Sequence, residues 1–148
     1  ISFFANYNFT NAFLDGNASA SDSKASIFAG ALDGSNIPYI PEHKFSLGAD
    51  YEIKDFDFGI QGTYQSKTYG TATETETEVF AGSANARAGA IDEYFLLNLY
   101  AGYNITDNYS IRAVVNNVTD LDYIATRHPA GARAGAPLTA FVRAIATF

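Results

Sequence analysis

The feature that most constrains the fold of this chain is an alternation of apolar and polar residues, repeated in about six separate segments. From Phe45 to Ile53 every odd-numbered residue is apolar, whereas every even-numbered residue is polar or glycine. Successive side chains of a β-strand point to opposite faces, so this pattern predicts strands with one apolar and one wetter face. The predicted strands span 1–14, 42–53, 56–70, 92–104, 108–119 and 137–148.

The second and third predicted strands form a hairpin whose register follows from its turn. Only Lys54 and Asp55 lie between these strands, a separation that predicts a two-residue hairpin loop. The resulting pairs all fall on the apolar face; they are Ile53 with Phe56, Tyr51 with Phe58, Ala49 with Ile60, Leu47 with Gly62 and Phe45 with Tyr64. A second short turn, at 106–108, joins the fourth and fifth strands, where a bulge would shift the register.

The connections between strands alternate in length. Long loops at 15–41, 71–91 and 120–136 are separated by the two short turns. Bacterial outer-membrane barrels have this arrangement, with short periplasmic turns and long extracellular loops. The polar faces, on which Arg112 and Arg143 fall, suit a barrel lumen. The sequence therefore predicts an all-β fold, an antiparallel transmembrane β-barrel segment of about six strands.

Charge and composition exclude several functions. The net charge is −7, and the nine Lys and Arg residues form no basic stripe, so a nucleic-acid partner is not expected. The chain has no cysteine, which excludes thiol chemistry and cysteine metal sites. Its two histidines, His43 and His128, have no nucleophile spaced to complete a catalytic triad. We expect neither enzymatic activity nor a cofactor.

The last long loop contains the candidate ligand-binding residues Arg127, His128 and Arg133. We expect these three cationic side chains to be exposed, and guanidinium groups suit the carboxylates of an anionic chelate. The alternative is a polar rim loop that contacts lipopolysaccharide phosphates or its own barrel. Both interpretations stay open at this point.

A second candidate is the acidic run in the middle long loop. Glu74, Glu76 and Glu78 alternate with threonine, so in an extended segment their carboxylates share one face, as a site for a hard cation such as Ca²⁺ requires. Three side chains alone supply too few oxygens for such an ion, and we favour a solvated loop. No metal site is therefore predicted.

Two segments and the last strand resemble the C-terminal region of TonB-dependent outer-membrane transporters. The segments are Val115–Tyr123, which reads VNNVTDLDY, and Asn36–His43, which reads NIPYIPEH. The last strand ends in Phe148, preceded by alternating small or apolar residues, and resembles the signal that the barrel assembly machinery reads. The resemblance covers most of 36–148, and we expect 1–148 to be the C-terminal part of such a barrel.

The resemblance also implies a function and partners. The family forms barrels of about 22 strands that enclose an N-terminal plug; the plug couples to the TonB complex, and neither it nor its coupling box is found in this chain. The barrel lies in the outer membrane of Gram-negative bacteria, among lipids and lipopolysaccharide. Residues 123–135 look most like the ferric-citrate type of receptor, which implies a ferric chelate or siderophore as the ligand.

Two other functions remain open from the sequence. The first is a passive porin or small structural barrel, which the sequence upstream of Ile1 would distinguish from a receptor. The second is a soluble all-β binding module, which would require the apolar faces to pack between two sheets. Because the chain begins within an alternating pattern, we also expect it to be a fragment that lacks an N-terminal portion.

Overall fold

The computed structural model describes residues 1–18, 27–74, 76 and 86–148. Within these residues the strands are β1 (Ser2–Phe9), β2 (His43–Ile53), β3 (Phe56–Gln65), β4 (Thr68–Tyr69), β5 (Ala90–Ile91), β6 (Tyr94–Thr106), β7 (Tyr109–Asn116), β8 (Ile124–Thr126), β9 (Arg133–Ala134) and β10 (Thr139–Ala146). The long strands form one antiparallel sheet of six, in the order β1-β2-β3-β6-β7-β10. The predicted all-β fold and strand number are thus confirmed.

The register of the first hairpin is the predicted one. Ile53 pairs with Phe56 and Phe45 with Tyr64, and the three pairs between them also match. Lys54 has a φ of 54°, and a positive φ at this position is typical of the primed turns that match the twist of a hairpin. The apolar residues of β2 and β3 therefore lie side by side on one face.

The second hairpin contains a β-bulge next to its short turn, a possibility that the sequence had left open. Leu99 pairs with Val115 and Tyr103 with Ile111, but the register shifts between Asn104 and Thr106. Because the bulge lies beside the turn, the shift does not reach the middle of the strands. The predicted apolar face of this hairpin is preserved.

The ends of the predicted strands at the long-loop side differ from the structure. The third strand was expected to reach residue 70, but β3 ends at Gln65, and Thr68–Tyr69 pairs instead with Ala90–Ile91. In the last long loop, β8 pairs with β9. Both loops thus fold back as small sheets of their own, which provide backbone hydrogen bonds where the main sheet ends.

The large apolar side chains of the sheet are exposed, and the buried side chains lie in the loops. Phe3 is 74%, Leu47 49% and Val142 76% exposed. The buried apolar residues among those described are Ala31, Ala72, Ala88, Ala90 and Ile91. An exposed apolar stripe this extensive requires an apolar phase, as the outer face of a membrane barrel does. Within the described ranges there is no helix long and apolar enough to cross a membrane.

Candidate functional site

The long connections meet at one end of the sheet. We call 10–42 loop 1, 66–93 loop 2 and 117–138 loop 3. The amide of Tyr39 in loop 1 donates to the carbonyl of Tyr69 in loop 2 at 3.2 Å, and the amide of Ala72 donates to the carbonyl of Ile27 at 2.9 Å. Backbone contacts therefore join loops 1 and 2 into one layer at the loop end.

Arg127 joins loop 3 to this layer from the inside. Its side chain is 2% exposed; Nε donates to the carbonyl of Ala90 at 2.8 Å and Nη1 to that of Ala86 at 3.2 Å. A Cβ added at Gly70 would lie 3.2 Å from both Cβ and Cδ of Arg127, so a loop 2 glycine leaves the room that this side chain fills. The expectation that Arg127 is exposed is wrong, because backbone carbonyls of loop 2 accept its protons.

His128 and Arg133 are placed differently from Arg127. Arg133 is exposed on β9, opposite Thr126 of β8, and His128 is half-buried in the connection between these strands. One short hairpin therefore carries all the candidate ligand-binding residues, but it turns Arg127 inward and leaves Arg133 at the surface.

Asn117 closes loop 3 at its base, a role that the sequence reasoning missed. It is 2% exposed, and its Nδ2 donates to the carbonyls of Leu121 and Ala136, both at 3.0 Å. Its Oδ1 accepts from the amide of Leu121, while Asp120 Oδ1 accepts from the amide of Leu138 at 3.1 Å. The Asn and Asp of the resembling segment thus hold the two ends of loop 3 together.

The carboxylates of the acidic run do not converge in the described part of the chain. Glu74 accepts a hydrogen bond from the amide of Asn36 at 2.7 Å, whereas Glu76 contacts loop 2 side chains. Glu78 lies outside the described residues. Among the residues that the structure describes, no three His, Cys, Asp or Glu side chains are grouped as metal ligands.

Glu76 forms an exposed ion pair with Lys67. The two groups are 2.7 Å apart, and the hydroxyl of Tyr69 also donates to Glu76 at 2.8 Å. The hydrogen bonds from Lys67 and Tyr69 lower the pKa of Glu76, and the carboxylate raises the pKa of Lys67. Since both partners are exposed, this pair adds little to the stability of the fold.

The polar face of the sheet carries a pair of arginines. Arg112 of β7 and Arg143 of β10 are directly opposite in the register, so they share a face as predicted. Arg112 lies 3.5 Å from Asp57 and donates to Asn104 Oδ1 at 2.8 Å. The carboxylate of Asp57 on β3 therefore partly neutralises the charge of Arg112.

An aromatic bridge crosses the same face. The hydroxyl of Tyr100 on β6 donates to the carboxylate of Asp50 on β2, across the intervening strand β3. The ring lies over Gly59, where a Cβ would collide with it. A glycine in the strand between them thus makes this long side-chain bridge possible.

Phe148, the candidate assembly signal, lies beyond the end of β10. Its side chain is fully exposed. The preceding Thr147 is held by two hydrogen bonds to Asn108 at the short turn, of 2.9 Å from its amide and 2.8 Å to its carbonyl. The end of the chain therefore lies at the short-turn end of the sheet.

Known proteins are similar to this chain in sequence and in fold. The model of the family "TonB dependent receptor-like, beta-barrel" matches residues 1–118. The catecholate siderophore receptor Fiu of Escherichia coli K12 is 29% identical over 106 residues, which are 70% of this chain and 13% of Fiu. The chain thus spans only a small part of the curated relatives that it matches.

Solved structures agree with the family match. The ferric citrate transporter FecA superposes with a TM-score of 0.70 at 25% identity, covering 78% of this chain and 18% of FecA. The siderophore receptor PiuA of Acinetobacter baumannii has a TM-score of 0.71 at 20% identity, covering 97% of this chain and 19% of PiuA. Since the family model matches most of its length and the six-stranded sheet superposes on these barrels, the chain belongs to the TonB-dependent receptor β-barrel family, whose members are Gram-negative outer-membrane transporters and not enzymes.

Proposed function

We propose that this chain is the C-terminal part of the barrel of a receptor that imports an anionic ferric chelate across the outer membrane. The names of its relatives, a catecholate siderophore receptor and a ferric citrate transporter, support this ligand class. Import would be energised by the TonB complex through a plug carried outside residues 1–148. Lipopolysaccharide and outer-membrane lipids would surround the apolar face, and the barrel assembly machinery would insert it.

The observation that carries the ligand proposal is the loop 3 hairpin. It presents Arg133 at the surface while Arg127 fixes the same hairpin to loop 2. Because the hairpin is anchored, little backbone freedom is lost when Arg133 binds, and its planar guanidinium suits bidentate contact with a carboxylate. In this proposal Arg133 and His128 contact the chelate, and Arg127 is a positioning residue.

The test is binding of ferric citrate and of a ferric catecholate by the full-length receptor that contains this segment. We expect Arg133→Gln to weaken binding about fivefold, and its combination with His128→Gln to weaken it about thirtyfold, since each partly wet hydrogen-bond donor contributes ~1 kcal/mol. The loss should shrink as salt is raised.

The matched control is Lys54→Gln, which removes a positive charge at the short-turn end and should leave binding unchanged. If the wild-type receptor binds neither chelate, the ligand class is wrong. If it binds one of them and the Arg133 and His128 variants bind equally well, loop 3 is not the binding element.

A further inference from the structure

The polar face of β6, β7 and β10 contains a groove outside loop 3. Its volume is about 580 Å³, within the range of small-ligand sites. Polar, aromatic and cationic side chains line it, including Asn98, Tyr100, Arg112, Asn116, Phe141 and Arg143. The groove runs from Asn116, where β7 meets loop 3, toward the short-turn end of the sheet.

Two arginines of this chain place positive charge in the groove. Directly opposed like charges on antiparallel strands are destabilising, and Arg112 and Arg143 are such a pair. Arg112 has Asp57 within 3.5 Å, but the Arg143 guanidinium has no hydrogen bond or ion pair to any residue that the structure describes. No acidic side chain of the described residues lines the groove, although the chain has a net charge of −7.

We propose that the groove is a second anion-binding subsite, in which Arg112 and Arg143 together take a carboxylate of the transported ligand. The proposal rests on the proposed function, because it assumes an anionic cargo that moves from the loop end toward the short-turn end. Arg112 lies in the middle of β7, farther from the loop end than loop 3 is, so this subsite follows the loop 3 site along that direction.

The side chains around the arginines define the ligand class. Two guanidinium groups on neighbouring strands suit one carboxylate or two adjacent ones, since each fork can donate two parallel hydrogen bonds. Tyr100 and Phe141 lie on the same face and offer ring surfaces to the less polar part of a ligand. The subsite should therefore favour a polycarboxylate over a neutral chelate.

The first experiment measures binding of free citrate to the purified full-length receptor by calorimetry at low salt. We expect the double variant Arg112→Gln/Arg143→Gln to lose one citrate site, with at least a tenfold weaker affinity there. Arg112→Lys/Arg143→Lys keeps both charges but not the paired N–H donors, so its affinity should lie between those of the wild type and the glutamine variant. Lys44→Gln, which removes a positive charge from the polar face of β2 outside the groove, should bind like the wild type. Wild-type citrate binding in the double glutamine variant, or no citrate binding at all, would overturn the proposal.

The second experiment separates this subsite from the loop 3 site. In cells we expect the double glutamine variant to bind ferric citrate at the surface within about twofold of wild type but to import it about tenfold more slowly, because only the later subsite is lost. Equal import by variant and wild type would refute the role in passage. If the wild type binds no ferric chelate, the proposed function fails, and citrate binding still decides whether the arginine subsite exists.

Discussion

At the residue scale, one asparagine determines how the segment Val115–Tyr123 leaves β7 and enters loop 3. Asn117 has a φ of 50°, a left-handed conformation that asparagine tolerates better than most residues. This conformation turns the chain out of β7 and directs the amide group into loop 3, where it bonds to backbone groups at both ends of the loop. Together with Asp120, which accepts from the amide of Leu138, this side chain closes loop 3.

Asn117→Ala should therefore loosen loop 3 without altering the sheet. The substitution leaves the carbonyls of Leu121 and Ala136 without their donor in a partly buried position, which should cost about 1 kcal/mol. We expect a lower unfolding midpoint of the full-length receptor in heat-modifiable gel mobility, and faster proteolysis within loop 3. The matched control is Asn116→Ala, whose side chain lies on β7 outside this network; equal effects of both would contradict the role assigned to Asn117.

The burial of Arg127 could not be predicted from the sequence. An arginine in a polar loop next to His128 and near Arg133 is indistinguishable in sequence from an exposed ligand-binding residue. Its acceptors are the carbonyls of Ala86 and Ala90, which belong to the backbone and leave no side-chain pattern. The one sequence feature that relates to its burial is the presence of small residues in loop 2, such as Gly70, which leave space for the side chain.

At the scale of strands, the sheet was predictable and the loop layer was not. Period-two alternation and a two-residue turn determine the β2–β3 register, because a slip of one residue would move every apolar side chain to the polar face. The small sheets β4–β5 and β8–β9 have only two or three residues per strand, too few for any periodicity. Their positions depend on contacts between loops that are distant in sequence.

The two faces of the sheet should tolerate charge very differently. Leu47 and Ile60 lie on the exposed apolar face, whereas Ser46 and Gln61 lie on the polar face. In the full-length receptor we expect Leu47→Arg or Ile60→Arg to cost about 2–4 kcal/mol near the bilayer midplane and to impair assembly.

Ser46→Arg and Gln61→Arg are the matched controls, since they add the same charge one residue away on the same strands and should assemble normally. Heat-modifiable gel mobility of the four variants measures the outcome. Equal tolerance on both faces would mean that the apolar stripe does not face lipid.

At the scale of the whole molecule, the open edges and the exposed apolar face of the sheet are those of a segment of a larger barrel. β1 and β10 are the edges of the sheet, and edge strands leave unpaired amides and carbonyls that a closed barrel removes. A soluble binding module would need a second layer over the apolar stripe, and family membership places this stripe in the outer membrane instead. We therefore expect both edges to pair with further strands.

Assembly of that barrel should depend on Phe148. Ala146 pairs with Tyr109 of the apolar face, so by alternation Phe148 continues the same face past the end of β10. We propose that this exposed aromatic residue is read by the barrel assembly machinery. Deleting Phe148, or making Phe148→Asp, should slow assembly and leave the full-length protein in the periplasm, whereas Phe148→Tyr keeps the aromatic ring and should assemble normally. Fractionation and surface labelling at native expression measure this outcome; wild-type surface levels of the deletion variant would show that assembly does not require Phe148.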